Sequence, residues 1–356
     1  MSADLGAPAP FFPLLSGARK LLVLDLGFLG DLVHLIPALW CIRRALPQAE
    51  LHVCGARHAC GLFELTPWVQ RVWDYPRFPR SEPWYRDLKR VLALRRARFD
   101  AVINLNGSQR SSLLTGLSGA PLRLGRLQPR RPLAWQRLFT HAYHEEFGTR
   151  PLYEQRLRVL EQAGFPRAAS GPELVLPAAA TAWLRREGLE GHGVIHVSPC
   201  ASEDSKELPL ETLASVLDLL ASRQPPMPLV LTCSSSARER ERLQRLISRL
   251  ARPPLRVYAG GLSLAELAAL LRASRLHLGA DSGVLHLAAL LGIPTLSWFR
   301  RYPGAVEWLP QGPEHTHVEG EASPRGLAGL DPAELEKKFL AALARGSVHL
   351  KTATEG

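Results

Sequence analysis

The segment LLVLDLGFLGDLVHLIPALW, residues 21–40, decides the fold of the amino-terminal half of this chain. The apolar run 21–24 leads into a glycine turn, and Leu29-Gly30-Asp31 then opens an apolar stretch that continues to Ala45. This order predicts a strand, a tight turn and a helix, with a carboxylate where the strand gives way to the helix. A helix N-terminus suits a phosphate, because its backbone N–H groups are unpaired and the helix dipole is positive there.

A second segment repeats this design in the carboxy-terminal half. Leu276-His277-Leu278 precedes the turn Gly279-Ala280-Asp281-Ser282-Gly283, which opens the helical stretch 284–291. Each half therefore has a phosphate-binding corner with a carboxylate. Two such corners predict two α/β domains facing one central cleft, the layout of an enzyme that handles a nucleotide-activated substrate.

Short apolar runs alternate with helix-like segments along the whole chain, which is typical of parallel strands in βαβ units. The predicted strands are 21–26, 51–54, 69–73, 101–105, 194–197, 229–231, 256–258, 276–278 and 295–298. Ser263-x-x-Glu266 has the spacing of a capping box, and a last helix is predicted from Asp331-Pro332 to Ala344. We therefore predict two Rossmann-like, doubly wound domains, each with its ligand site at the carboxyl ends of the strands.

The boundaries of these domains follow from composition. Proline-rich residues 166–172 are predicted to form a linker between a domain at 20–165 and a domain at 173–345. Residues 1–19 are expected to be a disordered lead-in, and 346–356 a tail. The lead-in has no cationic segment before an apolar one, so it does not resemble a signal peptide. No apolar run approaches the length of about 20 residues that a membrane span needs.

The composition of 46% hydrophobic and 22% charged residues is typical of a soluble globular protein. Five cysteines are scattered along the chain, and none has zinc-site spacing, so buried free thiols in a reducing cytoplasm are expected.

The net charge of +11 is concentrated in one region, because residues 71–137 contain fifteen Lys or Arg and only four Asp or Glu. Two interpretations remain open: a solvated basic surface, or a patch for an anionic partner such as acidic lipid headgroups or a phosphorylated acceptor. Trp84, Tyr85 and Trp135 lie among these charges, as aromatic residues do at a membrane interface. The basic residues that define the region best are Arg86, Lys89, Arg90, Arg95, Arg96, Arg98, Arg123, Arg126, Arg130, Arg131 and Arg137.

Two other classes of function fit the sequence poorly. Nucleic-acid binding would suit the charge, but there is no zinc finger, helix-turn-helix signature or RNP-like aromatic motif. A nicotinamide dehydrogenase would suit the fold, but Gly27-x-x-Gly30 has the wrong spacing for a dinucleotide fingerprint, and Glu50 precedes a strand instead of ending one.

Three motifs, in order, resemble those of glycosyltransferase family 9. Residues 29–39 (LGDLVHLIPAL) are similar to its amino-terminal signature, and residues 279–289 (GADSGVLHLAA) are similar to its carboxy-terminal one. Between them, HVSPCAS (196–202) and SKELP (205–209) resemble its donor-phosphate loop. The resemblance covers roughly residues 20–345. These are the lipopolysaccharide heptosyltransferases, so it implies the two-domain GT-B fold, with the acceptor on the amino-terminal domain and the nucleotide sugar on the carboxy-terminal one.

The resemblance also implies roles for individual residues. Asp31 corresponds to the base that deprotonates the acceptor hydroxyl, although by itself it would be read as a helix-capping carboxylate. Lys206 would compensate the charge of the departing diphosphate. The other residues expected at the donor are Ser202, Asp281, Ser282, Gly283 and His286, and those expected on the acceptor side are Gly30, His34, Arg95 and Arg96.

The residues expected at the donor are assigned to different parts of it. The backbone N–H groups of Ser282 and Gly283 would bind phosphate oxygens, whereas Asp281, being an anion, is assigned to sugar or ribose hydroxyls. His286 would either reach the phosphate or pack as a structural histidine, and the same two interpretations apply to His34. No metal ion and no cofactor are implied.

The sequence departs from the family pattern in three places. Gly27-Phe28 stands where many members have small hydroxyl residues, and Leu208 replaces the usual tryptophan after the lysine. The loop 232–236 lacks the glycine and downstream glutamate expected at the nucleoside, so Ser234–Ser236 are the candidates to replace those hydrogen bonds.

The sequence thus predicts an inverting, metal-independent glycosyltransferase. The expected donor is ADP-heptose, and the expected acceptor is a lipopolysaccharide core (lipid A-core) or related anionic glycolipid. The protein is expected to be cytoplasmic, with peripheral binding to the inner membrane surface left open. The alternatives are a relative with another sugar donor or a non-lipopolysaccharide acceptor, and a catalytically silent binding protein of the same fold.

Overall fold

The protein is described by a computed structural model, which covers residues 10–76, 84–127, 133–222, 227–324, 326–330 and 335–344. Its internal contacts divide the chain into two compact units, Met1–Val175 and Leu176–Gly356. The predicted linker 166–172 therefore lies inside the first unit. The Ala168 N–H donates to Cys41 Sγ at 3.4 Å and the Trp40 indole donates to the Ser170 carbonyl at 3.1 Å, so these residues are fastened to the first helix.

The first unit is a parallel sheet with helices, and its strand order is β3-β2-β1-β4-β5-β6. Every described strand pair in it is parallel, and the apolar central strands are buried on both faces. The strands are β1 (Lys20–Asp25), β2 (Glu50–Ala56), β3 (Arg71–Tyr75), β4 (Ala101–Asn104), β5 (Leu122–Leu127) and β6 (His141–His144). The order reverses between β1 and β4, which makes the carboxyl ends of these two strands the expected ligand position.

The first helix of this unit begins at the glycine turn, as the sequence predicted. The helices are α1 (Leu29–Ala45), α2 (Trp84–Arg96), α3 (Gln109–Leu117), α4 (Leu133–Gln136) and α5 (Leu152–Gln162). The buried face of α1 contains Leu32, Leu35, Ile36 and Leu39, and α1 packs against α5.

The prediction of a disordered lead-in is wrong for residues 10–19. Phe12–Leu15 form a short 3-10 helix, and Phe11 and Leu15 are fully buried. The Phe12 N–H donates to the Ala163 carbonyl at 2.8 Å, and the Phe11 ring meets the ring of His141 edge-on. Apolar burial against the end of α5 and against β6 therefore orders this segment.

The second unit repeats the topology of the first. Its strand order is β13-β12-β11-β10-β7-β8-β9, with every described pair parallel except β12–β13. The order reverses between β7 and β10. The strands are β7 (Val194–Ser198), β8 (Leu229–Cys233), β9 (Arg256–Ala259), β10 (Ser274–Ala280), β11 (Thr295–Arg300), β12 (His315–Ser323) and β13 (Gly326–Ala328).

The helices of the second unit cover both faces of its sheet. They are α6 (Ala178–Arg186), α7 (Leu210–Ala221), α8 (Ala237–Ile247), α9 (Leu264–Arg272), α10 (Gly283–Leu290) and α11 (335–344), with short 3-10 helices at Asp204–Lys206 and Ala305–Glu307. The capping box predicted for α9 is confirmed: Ser263 Oγ accepts the Glu266 N–H, and the Glu266 carboxylate accepts the Ser263 N–H. The predicted start of α11 at Asp331-Pro332 and the predicted tail lie outside the described residues.

Each predicted strand has an observed counterpart, but four observed strands were not predicted: β5, β6, β12 and β13. The strands β5, β6 and β12 are interrupted by polar or charged residues, and β13 has only three residues, so all four lack the apolar runs on which the prediction depended. Among the described helices, none is long and apolar enough to cross a membrane. Both units nevertheless have the α/β architecture that the sequence predicted.

Candidate functional site

The switch point of the second unit brings Lys206 and Asp281 together. Lys206 ends the short 3-10 helix in the loop that follows β7, and Asp281 directly follows β10. Lys206 Nζ lies 2.9 Å from Asp281 Oδ2. His286 Nε2, on the first turns of α10, lies 3.7 Å from Asp281 Oδ1. A cation, a carboxylate and an imidazole therefore meet at the carboxyl ends of the two central strands.

The charge of Asp281 is stabilised by these neighbours. Burial of the carboxyl raises its pKa, but the hydrogen bond and charge of His286 and the charge of Lys206 outweigh burial, so that the net pKa lies below its ordinary value. Burial and the charge of Asp281 raise the pKa of nearby Tyr302 to about 12. At neutral pH this site therefore holds an ionised carboxylate and a neutral phenol.

The N-terminus of α10 adjoins this ion pair. Ser282 is the N-cap residue in extended backbone conformation, but its side chain makes no capping hydrogen bond. Its hydroxyl oxygen is inaccessible to solvent and has no hydrogen-bond partner among the described residues. Gly283 begins the helix, and Ser202 is exposed in the loop after β7. An orphaned buried hydroxyl beside free helix N–H groups and a lysine is the donor set that an anionic oxygen requires.

The loop that presents Lys206 is anchored by Glu207, which the sequence analysis missed. Its carboxylate is fully buried, accepts the Ala201 N–H at 2.8 Å, and pairs with Arg242 at 2.8 Å and Arg238 at 3.1 Å. Burial raises the pKa of Glu207 despite these partners. Leu208, at the family's tryptophan position, is 1% exposed and belongs to the apolar core. Lys206 therefore reaches the ion pair, whereas the two residues that follow it, Glu207 and Leu208, are buried.

A buried pair of histidines lies on the two central strands, before their carboxyl ends, and the sequence did not predict it. His196 of β7 and His277 of β10 are both fully buried, with Nδ1 atoms 2.8 Å apart and rings stacked at 5.0 Å between centroids. Burial lowers the pKa of His196 to about 3 and that of His277 well below its ordinary value, so both rings are neutral. A Cβ at Gly279 would lie 2.6 Å from His277 Nε2, so this ring occupies the space beside the glycine of the turn.

The serine loop after β8 is occupied by capping contacts. Ser236 Oγ accepts the Glu239 N–H at the start of α8, and Glu239 Oε2 accepts the Ser234 N–H at 2.9 Å. The Ser234 and Ser236 hydroxyl oxygens are 3.2 Å apart. Their expected contact with the nucleoside stays a prediction.

The switch point of the first unit contains Asp31, in the first turn of α1. Asp31 Oδ2 accepts the Phe28 N–H at 2.7 Å, so this carboxylate does cap the helix, and its side chain is 21% exposed. A Cβ built on Gly27 would lie 2.3 Å from Asp31 Cγ, so glycine at position 27 is what allows the carboxylate to lie over the turn. One oxygen is thereby fixed, and the side chain remains open to solvent.

The other residues predicted on the acceptor side differ in their exposure to solvent. Gly30 is buried in the first turn of α1. The His34 ring is half-buried and stacks parallel to the Tyr153 ring on α5, with ring centroids 6.1 Å apart. This contact favours the interpretation of His34 as a packed structural histidine. Arg95 and Arg96 are exposed at the end of α2.

The described residues of the basic region are not all on the surface, so its assignment to the surface is wrong for Arg126, and the two interpretations stay open for its exposed residues. Arg126 is 1% exposed, donates to the Gln155 side chain and lies over the Phe147 ring at 4.0 Å. Arg123 is half-buried and donates to the Leu138 and Ala120 carbonyls. Arg130, Arg131 and the side chain of Trp84 lie outside the described residues. Among the described residues of the region, most of the exposed basic side chains lie on α2.

The five cysteines are free thiols: Cys41, Cys54 and Cys200 are buried, and Cys60 and Cys233 are half-buried. Burial raises the pKa of each of these thiols. Within the described ranges, no group of three or more His, Cys, Asp or Glu residues is arranged to hold a metal ion.

Comparisons with known proteins identify the family of this fold. The model of glycosyltransferase family 9 (heptosyltransferase) matches residues 87–324. Lipopolysaccharide heptosyltransferase 3 of Escherichia coli is 24% identical over 293 residues, which cover 80% of this chain and 84% of that protein. Among solved structures, a family 9 glycosyl transferase from Veillonella parvula has a TM-score of 0.78 at 19% identity, covering 92% of this chain and 97% of that one. The E. coli heptosyltransferase WaaC, solved with ADP-2-deoxy-2-fluoro heptose, has a TM-score of 0.72 at 20% identity, covering 91% and 99%.

Proposed function

Because this chain belongs to glycosyltransferase family 9 and is therefore a glycosyltransferase of the GT-B fold, we propose that it transfers a heptose or related sugar, with inversion, from ADP-heptose to a lipopolysaccharide core or related glycolipid. The similar proteins support this choice, since they include lipopolysaccharide heptosyltransferases and a heptosyltransferase solved with ADP-2-deoxy-2-fluoro heptose. The reaction is proposed to need no metal ion.

The observation that carries the proposal is the Lys206–Asp281 pair beside the orphaned Ser282 hydroxyl. A diphosphate that reached Lys206 would meet a cation, a helix N-terminus and an unused hydroxyl donor. Asp281 would then be freed in part from Lys206 and would accept hydroxyl groups of the sugar or ribose. Because electrostatic stabilisation is strong where water is excluded, a lysine here favours departure of the diphosphate.

The proposed chemistry is a single displacement. Asp31 takes the proton of the acceptor hydroxyl as its oxygen attacks the anomeric carbon, and the bond from that carbon to the diphosphate oxygen breaks. The bonding electrons leave with the nucleoside diphosphate, whose added charge Lys206 compensates. The proton on Asp31 is then released to solvent through its exposed face.

The donor is tested by thermal unfolding with ADP, ADP-heptose, ADP-glucose and UDP-N-acetylglucosamine. A ligand at 100 times its Kd stabilises the folded protein by about 2.7 kcal/mol, which raises the midpoint by several degrees. We expect ADP and ADP-heptose to raise it and UDP-N-acetylglucosamine to leave it unchanged. Transfer from ADP-heptose, and none from ADP-glucose, then identifies the sugar; a shift with UDP-N-acetylglucosamine alone would overturn the donor assignment.

We further propose that the face of α2 formed by Tyr85, Leu88, Lys89, Leu92, Arg95 and Arg96 contacts the anionic cytoplasmic membrane surface that carries the acceptor. Tyr85, Leu88 and Leu92 are 39–48% exposed, and Lys89, Arg95 and Arg96 are also exposed. Residues 88, 92 and 96 are four apart and so lie on one side of the helix. Leu113 and Leu117 of the adjacent α3 are exposed as well. Apolar side chains among basic ones are typical of a helix lying in a membrane interface.

Sedimentation with vesicles tests this surface. Binding to anionic vesicles should decrease as salt rises, because each basic residue near such a membrane contributes about 1 kcal/mol that ions screen. We expect Arg95→Glu/Arg96→Glu to abolish binding without changing donor affinity. The matched control is Arg185→Glu/Arg186→Glu, an exposed arginine pair at the end of α6. Equal binding to neutral and anionic vesicles, or equal loss in both variants, would contradict the proposal.

A further inference from the structure

A buried ion pair lies directly behind Asp31. Asp25, the last residue of β1, and Arg156 of α5 pair through Arg156 Nη2, and their side chains are 0% and 1% exposed. The other terminal nitrogen of Arg156 donates to the main-chain carbonyl of Asp31. Arg156 Nη2 is also 3.9 Å from Asp31 Oδ1. One guanidinium therefore contacts a fully buried carboxylate and both the backbone and the side chain of Asp31.

Asp25 is itself held from several directions. Its Oδ1 accepts the Gly27 N–H at 2.8 Å and the Asn106 side-chain amide at 2.9 Å. Asn106 follows β4, the strand next to β1 at the switch point. Asp25 and Arg156 thus connect the ends of two strands, the glycine turn and α5. These contacts hold the strand end and the turn that lead directly into the first turn of α1, where Asp31 lies.

We infer that Arg156 is a positioning residue for Asp31, and that Asp25 fixes Arg156 in place. The inference rests on the proposed role of Asp31 as base. A buried ion pair is costly to desolvate, so its presence is weak evidence that it stabilises the fold. Its role is therefore inferred from the groups that it contacts. A fixed cation 3.9 Å from Oδ1 favours the ionised carboxylate, the form that accepts a proton. The hydrogen bond to the Asp31 carbonyl holds the first turn of α1 at the distance that this interaction needs.

The test compares Arg156→Met, the double variant Asp25→Asn/Arg156→Met, and Arg156→Lys. Arg156→Met leaves Asp25 buried without its cation, so we expect a lower thermal midpoint. The double variant removes both charges, so the midpoint should recover while activity does not. In the double variant we expect kcat to fall about tenfold to a hundredfold. The acid limb of kcat/KM should move to higher pH, because the cation 3.9 Å from Asp31 Oδ1 is gone, and the simultaneous loss of the Asp25 charge should make this movement smaller than in Arg156→Met.

Arg156→Lys keeps the charge but not the two-nitrogen geometry, so we expect a reduced kcat with a nearly unchanged acid limb. The control is Arg158→Met, which removes an arginine that is 43% exposed on the same helix and contacts Glu145. It should leave kcat and the pH profile unchanged. A double variant with wild-type kcat and a wild-type pH profile would show that the pair is only structural and would overturn the inference. Asp31→Asn separates the two hypotheses: an active Asp31→Asn enzyme overturns the base assignment itself, whereas an inactive one leaves it intact whatever Arg156 does.

Discussion

Asp31→Asn is expected to lower the rate of sugar transfer by a factor of about 10²–10⁴, the usual loss when a positioned general base is removed. Donor affinity should not change, because the residues proposed to bind the donor belong to the other unit. Asparagine is the informative replacement. Its amide oxygen still accepts the Phe28 N–H that Asp31 Oδ2 accepts at 2.7 Å, so the start of α1 is preserved while the basic oxygen is lost. The measurements are single-turnover rates with ADP-heptose and calorimetric titration with ADP.

The chain offers a matched control for this variant. Glu266 occupies the equivalent N3 position of α9 and caps its helix with a carboxylate in the same way. Glu266→Gln should therefore reproduce the structural effect of Asp31→Asn without its chemical effect, and leave transfer unchanged. If Asp31→Asn turns over within a few-fold of the wild type, or if both variants lose activity equally, Asp31 is a capping residue and not the base.

The central strands and the glycine corners of both units are encoded by local features of the sequence. β1, β7 and β10 were predictable because both faces of a central parallel strand are buried, which favours a largely apolar run. The glycine corners after β1 and β10 were predictable because the turn and helix start are local features. The capping box of α9 depends on residues only three apart, and it is present as predicted.

β5 shows where this reasoning fails. Its sequence, LRLGRL, reads as a basic surface segment, yet Arg126 is buried in it. The side chain is satisfied by Gln155, which is 29 residues further along the chain, and by the face of Phe147. No local pattern reveals that a buried arginine has partners, so the region was assigned wholly to the surface.

The site residues that stand in local motifs were predictable, whereas contacts between residues far apart in the sequence were not. Asp31, Lys206 and Asp281 stand in motifs, and the structure places Lys206, Asp281, Ser282 and His286 close together. Asp25 and Arg156 were missed because the pair joins residues 131 positions apart. The one available signal was an aspartate directly after the apolar run 21–24, where a solvated turn residue is the usual explanation. The direct contact of Asp281 with Lys206 was not foreseen either, since each residue had been assigned a different part of the donor.

Lys206→Ala is expected to weaken ADP binding by one to two decades, since a charge-assisted contact contributes about 1.5–3 kcal/mol. The loss should be specific to the phosphates. Adenosine, which has no phosphate, should bind the variant and the wild type equally, whereas ADP should distinguish them. The difference should shrink as salt rises, because Lys206 is 20% exposed and its charge is partly screened. Calorimetric titration with adenosine and ADP at two salt concentrations measures each of these effects.

Two further variants separate the contributions of the ion pair. Lys337→Ala removes an exposed lysine from α11 in the same unit and should leave ADP affinity unchanged. Asp281→Asn removes the carboxylate that Lys206 contacts at 2.9 Å. If Asp281 binds sugar or ribose hydroxyls, this variant loses affinity for ADP-heptose. If it serves only to hold Lys206, the released lysine strengthens the binding of ADP. Equal ADP affinity in Lys206→Ala and the wild type would place Lys206 outside the donor site, and the charge that drives departure of the diphosphate would then have to come from another residue.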